Sequence, residues 1–237
     1  MPVELLATEP GRAELREYNL PPLGPTHIRI RSDFAAPKHG TESHVFLNDF
    51  PFKGRYFDPD YRMFLPRDEE IPLYPAPLGN MTVGTVVEAG RNVTRFEAGD
   101  RVYGHLPIRE LHTVDQNGRA ADGQLPLGSG VREAGIHRVP EGMNDEQIVL
   151  LDPAHFALAA VHDADIALGS HVAVFGLGAI GLLIVQMARL GGATTVFAVD
   201  PLANRRELAV RCGADQVFDP GMVDAGYEIK RETDKMG

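Results

Sequence analysis

A six-residue segment with glycine at its first, third and sixth positions constrains this chain more than any other feature. It reads Gly176-Leu177-Gly178-Ala179-Ile180-Gly181. The segment directly follows His171–Phe175, a short apolar run typical of a buried parallel strand. A strongly apolar stretch with helical periodicity then continues to about Leu190. The order of strand, glycine turn and helix predicts a β-α unit of an α/β fold.

Two further strands are predicted downstream of this unit. Residues 194–199 form a second buried run, and a helix follows with Pro201 near its first turn and Gly213 past its end. Gln216-Val217-Phe218 has the composition of a third strand. The β-α-β-α-β order predicts the first half of a doubly wound parallel sheet. Because the second half does not follow within 237 residues, either the native protein is longer, which we favour, or the chain carries a natural half-domain.

The part of the chain before about residue 140 has a different pattern. Short β-branched runs at residues 27–31, 83–87 and 100–103 are bounded by glycine and proline, which predicts a β-rich domain. Residues 119–135 are rich in Gly, Ala and Asp and are predicted to form a loop, whereas residues 145–151 and 153–165 have helical spacing. We therefore predict two domains, at residues 1–145 and 146–237.

The glycine turn is also a candidate cofactor site. In such a turn the glycines permit a tight bend, close approach of a pyrophosphate and helix–strand packing, while the helix N-terminus supplies N–H donors. Asp200 stands at the end of the second strand, where a carboxylate accepts hydrogen bonds from ribose hydroxyls and repels a 2′-phosphate. We therefore predict that the six turn residues and Asp200 bind NAD in preference to NADP. Arg205 either lies over the adenine or is a solvated helix charge.

Charge and composition exclude several other classes of protein. Asp and Glu total 33 against 23 Lys and Arg, so the net charge of -10 disfavours a nucleic-acid or anionic-membrane partner. The sequence contains no apolar run of about 18 residues and no apolar signal segment at its start. Its single cysteine, Cys212, excludes an intramolecular disulfide and a cysteine-rich zinc cluster. We expect a cytoplasmic protein without a membrane span.

Several motifs together resemble the medium-chain dehydrogenase/reductase superfamily, in its alcohol and polyol dehydrogenase group. Besides the glycine turn they are residues 83–90 with 96–102, the segment Val139-Pro140-Glu141-Gly142-Met143, and residues 203–215. The resemblance covers nearly the whole chain. It implies a GroES-like β-barrel catalytic domain followed by a Rossmann NAD-binding domain, of which this chain carries the first half. It further implies a small alcohol or polyol substrate and a homo-oligomer, either a dimer or a tetramer.

The segment His39-Gly40-Thr41-Glu42-Ser43-His44 resembles the family pattern Cys-Gly-Ser/Thr-Asp-x-His. The resemblance implies that Thr41 contacts the substrate oxygen and that His44 ends a proton relay through the cofactor ribose. An imidazole that titrates near pH 7 suits that role. His39 and Glu42 complete the candidate catalytic set. The alternative is that Thr41 caps the following helix and that His44 is a surface helix residue.

The metal-ligand positions depart from the family pattern. His39 stands in place of the first cysteine ligand, and Gly79-Asn80-Met81 stands where the family has Gly-His-Glu. Asp152, before Pro153, falls at the third position. His39 and Asp152 are therefore weak metal candidates, and because catalytic zinc takes three protein ligands and a water, we expect no zinc.

These features predict an NAD-dependent oxidoreductase that transfers a hydride between a secondary alcohol, polyol or sugar hydroxyl and the nicotinamide. Without zinc, Thr41, His39 or Lys38 would have to stabilise the substrate oxyanion. One alternative is a zinc-independent enone or quinone reductase. Another is an NAD-binding protein without catalytic activity.

Other residues receive weaker predictions. His105, His112 and His137 lie on or beside predicted strands and are expected to be structural or surface residues. An aromatic-rich insert either lines the substrate entrance, as the resemblance implies, or forms a satellite core. Its aromatic residues are Tyr56, Phe57, Tyr61 and Phe64.

Overall fold

A computed structural model describes residues 1–49, 54–67, 73–122 and 135–234, with the side chains of residues 39 and 41 outside the description. The chain divides into two compact units, Met1–Val149 and Leu150–Gly237. The described strands of the first unit are β1 (Val3–Glu9), β2 (Arg12–Glu17), β3 (His27–Ala36), β4 (Arg55–Asp58), β5 (Met63–Pro66), β6 (Ala76–Pro77), β7 (Met81–Ala89), β8 (Arg101–Gly104), β9 (Leu111–Asp115) and β10 (His137–Arg138). Its helices are α1 (His39–Leu47) and α2 (Asp145–Val149).

The first unit is built from antiparallel sheets. Five strands pair in the order β10-β8-β7-β3-β9, three pair in the order β2-β1-β6, and β4 with β5 forms a hairpin. Alternate residues of β3, Ile28 and Ile30, enter a core with Val86 and Val114 from the neighbouring strands. The predicted β-rich first domain is confirmed.

Helix α1 packs against the first unit through apolar side chains, of which Val45 is buried. Val45 packs in a small buried cluster with Ala7, Ala76 and Leu78, which lie on or beside the three-stranded sheet. The helix begins at His39, and Lys38 is its N-cap residue. Thr41 lies inside the first turn and is therefore not the N-cap residue, while the role of its side chain stays a prediction.

The second unit contains a parallel sheet. Its elements are α3 (Leu151–Asp163), β11 (His171–Phe175), α4 (Ala179–Leu190), β12 (Thr195–Val199), α5 (Ala203–Arg211), β13 (Gln216–Phe218) and α6 (Ala225–Glu232). The strands lie side by side in the order β11-β12-β13, and all three agree closely with the predicted ones. The expected α/β fold class is thus confirmed.

Both faces of the central strand β12 are covered by helices. Val196 and Ala198 pack in a core that includes Val185 of α4 and Ala209 of α5. Phe197 and Val199 belong to a second cluster with Ala225 and Ile229 of α6. Because successive strand residues point to opposite faces, an uninterrupted apolar strand such as β12 needs cover on both sides.

Three helices differ from the sequence predictions. Helix α3 begins two residues before Pro153, which its first turn tolerates because the N–H groups there lack intrahelical acceptors. Helix α5 begins at Ala203, two residues after Pro201. Helix α6 was not predicted, although Asp224 caps it by accepting a hydrogen bond from the Tyr227 N–H at 3.0 Å.

The loop predicted at residues 119–135 lies mostly outside the described residues. Within its described part, Ala120 forms an isolated bridge with Val114 of β9. Among the helices of the described chain, none is long and apolar enough to cross a membrane.

Candidate active site

The glycine turn joins β11 to α4 with a backbone that requires glycine. Gly176 has a φ of +89°, which other residues rarely adopt, and its N–H donates to the Val199 carbonyl at 2.8 Å. A Cβ added to Gly181 would lie 1.9 Å from the Gly176 carbonyl oxygen, so a larger residue cannot fit there. The first and third glycines therefore have the two roles predicted for them, in the tight turn and in close packing.

The middle glycine faces open space. Gly178 is the N-cap residue of α4, and no side chain caps this helix and no acidic residue stands in its first turn. A Cβ added to Gly178 would have no neighbouring atom within 4 Å. The first N–H groups of a helix lack intrahelical acceptors and carry a partial positive charge. With Ala179 and Ile180, this end of α4 can accept a phosphate group.

Asp200 is held against the glycine turn by backbone donors. The Leu177 N–H donates to Oδ2 and the Leu202 N–H donates to Oδ1, each at 2.8 Å. Burial of this carboxyl group, which is 3% exposed, raises its pKa, but the two N–H donors and the nearby Arg205 outweigh that effect. The pKa of Asp200 therefore lies below its ordinary value, and the group is an anion at neutral pH.

Two arginines adjoin this carboxylate. Arg205 places a guanidinium nitrogen 3.5 Å from the Asp200 Oδ2, a contact that the sequence did not predict. Arg206 donates to the Asp200 backbone carbonyl at 2.6 Å and pairs with Asp219 at 3.0 Å. Arg206 thus helps to fix the end of β12, whereas the Arg205 side chain is 42% exposed and can reach a ligand.

In the first unit, Glu42 is the buried member of the candidate catalytic helix. Its Oε2 accepts a hydrogen bond from the Gly79 N–H at 3.1 Å, while its Oε1 is buried without a hydrogen-bond partner in the described part of the chain. Burial raises the pKa of Glu42 and outweighs the N–H groups of Gly79 and Lys38 and the Lys38 charge. Glu42 therefore ties α1 to the turn that precedes Asn80.

His44 lies at the other end of α1, in its last turn. Its Nδ1 is 2.8 Å from the Asp49 Oδ1, and both side chains are more than half exposed. His39 and Thr41 occupy the first turn of α1. The candidate catalytic residues thus lie on one helix, but the orientation of the two first-turn side chains stays a prediction.

The donor atoms in the described part of the chain do not fit a zinc ion. Asn80 and Met81 are buried at the start of β7, where they offer an amide and a thioether instead of an imidazole and a carboxylate. Asp152 lies in the first turn of α3, in the other unit. No three His, Cys, Asp or Glu residues are grouped as ligands within the described ranges. That zinc is not bound stays a prediction.

The remaining histidines and aromatic residues divide between core and surface. His112 is buried in β9, and burial, together with the Arg109 charge, lowers its pKa to about 3. His137 is exposed in β10, and His105 follows β8. In the β4–β5 hairpin, Tyr56, Phe57 and Tyr61 are exposed, whereas Phe64 is half-buried and its ring packs edge-on against that of Phe57, with 5.3 Å between the ring centroids. The satellite core is therefore not formed by all four residues. Their place at a substrate entrance stays a prediction.

Comparison with known proteins identifies the class to which this fold and site belong. A family model described as the alcohol dehydrogenase GroES-like domain matches residues 54–157, and one described as zinc-binding dehydrogenase matches residues 179–237. Together with the relatives described next, these matches show that the chain belongs to the medium-chain dehydrogenase/reductase superfamily.

Two curated relatives illustrate the similarity. D-guloside 3-dehydrogenase of Escherichia coli K12 is 37% identical over 238 residues, which cover 99% of this chain and 64% of that protein. L-threonine 3-dehydrogenase of Caldanaerobacter subterraneus is 30% identical over 240 residues, which cover 95% of this chain and 63% of that protein. This chain therefore spans less than two thirds of the length of either relative.

Solved structures support the fold. The 2R,3R-butanediol dehydrogenase of Bacillus subtilis superposes with a TM-score of 0.71 at 24% identity, over 99% of this chain and 68% of that one. The Escherichia coli quinone oxidoreductase, solved with NADPH, superposes with a TM-score of 0.71 at 16% identity, over 98% and 63%. At these identities the likeness shows the shared fold alone.

Proposed function

We propose that this protein is an NAD-dependent oxidoreductase that transfers a hydride between a secondary hydroxyl of an alcohol, polyol or sugar and the nicotinamide. The first domain supplies the substrate-facing side chains and the second binds the cofactor. The similarity to two proteins named as 3-dehydrogenases supports this class of reaction. We further propose a cytoplasmic location and, as the resemblance implies, a homo-oligomer with a small-molecule substrate.

The anchored carboxylate of Asp200 carries the cofactor assignment. Two backbone N–H donors hold it beside the glycine turn, in the position where a carboxylate accepts hydrogen bonds from ribose hydroxyls. A 2′-phosphate about 4 Å away would be repelled by about 4 kcal/mol per unit charge at an effective dielectric constant near 20. Arg205 offsets part of this repulsion, so we expect a preference for NAD and not an absolute exclusion of NADP.

The assignment is tested by fluorescence titration of NADH and NADPH. We expect tighter binding of NADH to the wild type, by at least about tenfold, because a difference of 1.4 kcal/mol already gives that factor. In Asp200→Ser the preference should shrink or reverse, since Arg205 is then free to pair with a 2′-phosphate. Equal affinities of the wild type for both cofactors would reject the NAD assignment.

Two further variants separate charge from folding effects. Asp163→Ser removes an exposed carboxylate at the end of α3 and should leave both affinities unchanged. Adding Arg205→Ala to Asp200→Ser should abolish the gained NADPH affinity while leaving NADH binding similar to that of the single variant. If the double variant keeps that affinity, Arg205 does not bind the 2′-phosphate.

The roles on α1 follow from the same proposal. Thr41 orients the substrate hydroxyl and His44 receives its proton, while Lys38, His39 and Thr41 are the candidates to stabilise the oxyanion. Glu42 is a positioning residue, since its buried carboxylate joins α1 to Gly79. No step in this proposal depends on a metal ion.

Turnover assays distinguish the two alternatives. Turnover of quinones with NADPH, and none of alcohols with NAD, would favour the reductase. NADH binding without turnover of any polyol, sugar or quinone would favour the protein without catalytic activity.

A further inference from the structure

The end of α1 brings together two residues that are five positions apart in sequence. Asn48 has a left-handed backbone with φ 57° and ψ 37°, and its N–H donates to the Val45 carbonyl at 3.2 Å. The Asp49 N–H donates back to the His44 carbonyl at 3.1 Å. This pair of bonds is the Schellman arrangement, in which the chain reverses over the last turn of the helix.

In that arrangement the side chains of the two terminal partners are neighbours, and the contact between them is frequently apolar. Here it is polar, because the His44 Nδ1 lies 2.8 Å from the Asp49 Oδ1. Tyr74, whose pKa is raised by burial and by the Asp49 charge, donates its hydroxyl to the Val45 carbonyl at 2.7 Å. Because the Tyr74 hydroxyl donates to a backbone carbonyl, the Asp49 carboxylate remains available to accept a hydrogen bond from the His44 imidazole.

We infer that Asp49 is a positioning residue that fixes the tautomer of His44, an inference that rests on the proposed function. A carboxylate can only accept, so a neutral imidazole beside it carries its proton on Nδ1 and presents the Nε2 lone pair. The relay proton arrives at Nε2, forms an imidazolium that keeps its bond to Asp49, and leaves from Nε2 to water.

The exposure of the pair argues against a mainly structural role. The His44 and Asp49 side chains are 54% and 55% exposed, and such a pair contributes little to folding stability. Asp49 can still determine the tautomer of the His44 ring, because the hydrogen bond at one ring nitrogen determines which nitrogen accepts a proton. The effect of Asp49 should therefore appear in the tautomer of His44 before it appears in stability.

The tautomer can be measured directly on this chain by long-range ¹H–¹⁵N correlation spectra of ¹⁵N-labelled histidine. The spectra are recorded over a series of increasing pH, and the tautomer is read where the His44 signals no longer change with pH. The sequence has nine histidines, so the His44 signals are assigned by their absence in His44→Gln. Wild type is compared with Asp49→Ala and with Asn48→Gly, in which glycine keeps the left-handed turn.

We expect the Nδ1–H tautomer for His44 in the wild type and in Asn48→Gly, and a shift toward the Nε2–H tautomer in Asp49→Ala. Glu17→Ala removes another exposed carboxylate of the first unit and should have no effect. An unchanged His44 tautomer in Asp49→Ala would overturn the inference, as would an Nε2–H tautomer in the wild type.

Turnover measurements distinguish a failure of this inference from a failure of the proposed function. With an identified substrate, kcat should fall about threefold to tenfold in Asp49→Ala, less than in His44→Gln, because part of the His44 population keeps the productive tautomer. If the tautomer shifts in Asp49→Ala but His44→Gln has normal turnover, Asp49 still positions the ring and the relay role of His44 is rejected.

Discussion

Substitutions of Thr41 and of His44 should reduce turnover through the proposed proton relay to different degrees. Thr41→Val should remove nearly all turnover, because a methyl group cannot accept or pass a proton. His44→Gln should lower turnover by roughly tenfold to a hundredfold, since water partly replaces a terminal base. The measurement is kcat against pH, and the profile of the His44 variant should lose the inflection that the imidazole contributes.

Cofactor binding provides the control for these two variants. Affinity for NADH should barely change in either, because Gly178 and Asp200, which we propose to bind the cofactor, belong to the other unit. Near-normal turnover in Thr41→Val would refute the relay. Thr41 would then be interpreted as a residue that stabilises the first turn of α1, in which Lys38 holds the N-cap position.

Single residues differ in how far the sequence predicts their role. The role of Asp200 was predicted because the glycine turn and an acidic residue at the end of the next strand have fixed places in a β-α-β unit. The contacts of Glu42 with Gly79 and of His44 with Asp49 were not predicted. The first joins residues 37 positions apart, and the second depends on a left-handed turn at Asn48 that is hard to recognise without glycine.

At the scale of one strand, β9 carries a buried base that should make stability depend on pH. His112 has a pKa of about 3 in the folded protein against about 6.5 when unfolded, so the unfolded chain binds more protons between these values. Stability from this group is fully present above about pH 6.5. It is lost as the pH falls toward 3, with a slope of about 1.4 kcal/mol per pH unit.

Urea unfolding of the wild type and of His112→Gln, followed by circular dichroism from pH 7 to pH 4, measures this slope. We expect a smaller loss of stability on acidification in His112→Gln, while His137→Gln, at an exposed position of β10, should resemble the wild type. Glu42 acts in the opposite direction, because its raised pKa favours the folded state as pH falls, but it is present in all three proteins. Parallel curves for the wild type and His112→Gln would contradict the prediction.

Whole elements were predicted best where their pattern is local and strong. β11 and β13 have the predicted bounds because short apolar runs between turn signals are typical of strands. The predicted burial of β11 is wrong, since Val174 is its one buried residue and Phe175 is exposed. Helix α6 was missed because only Ala225 and Ile229 are buried on it, so its apolar stripe is narrow. The predicted start of α3 at Pro153 is two residues too late, because the first turn of a helix accepts proline after its first position as well.

At the scale of the whole molecule, the sequence predicted two kinds of domain from two periodicities. Alternation of period two before residue 140 indicated a β-rich domain, and continuous apolar strands separated by helices indicated a parallel sheet. The pairing order of the first unit could not be predicted, because β3 pairs with β7 and β9, which follow it by about 50 to 80 residues. Such long-range pairing leaves little local signal in the sequence.

Metal content is a property of the whole chain, and we expect less than one equivalent of zinc per chain after purification without added metal. The reason is the donor set, since Asn80 and Met81 stand where the family has an imidazole and a carboxylate, and both are buried. A net charge of -10 will still attract cations weakly over the surface, so the elemental analysis must follow a wash with chelator and salt. Zinc that persists near one equivalent and is lost in His39→Ala would show that the altered site binds metal. Zinc that persists equally in that variant would be bound elsewhere, which leaves His39 without a ligand role.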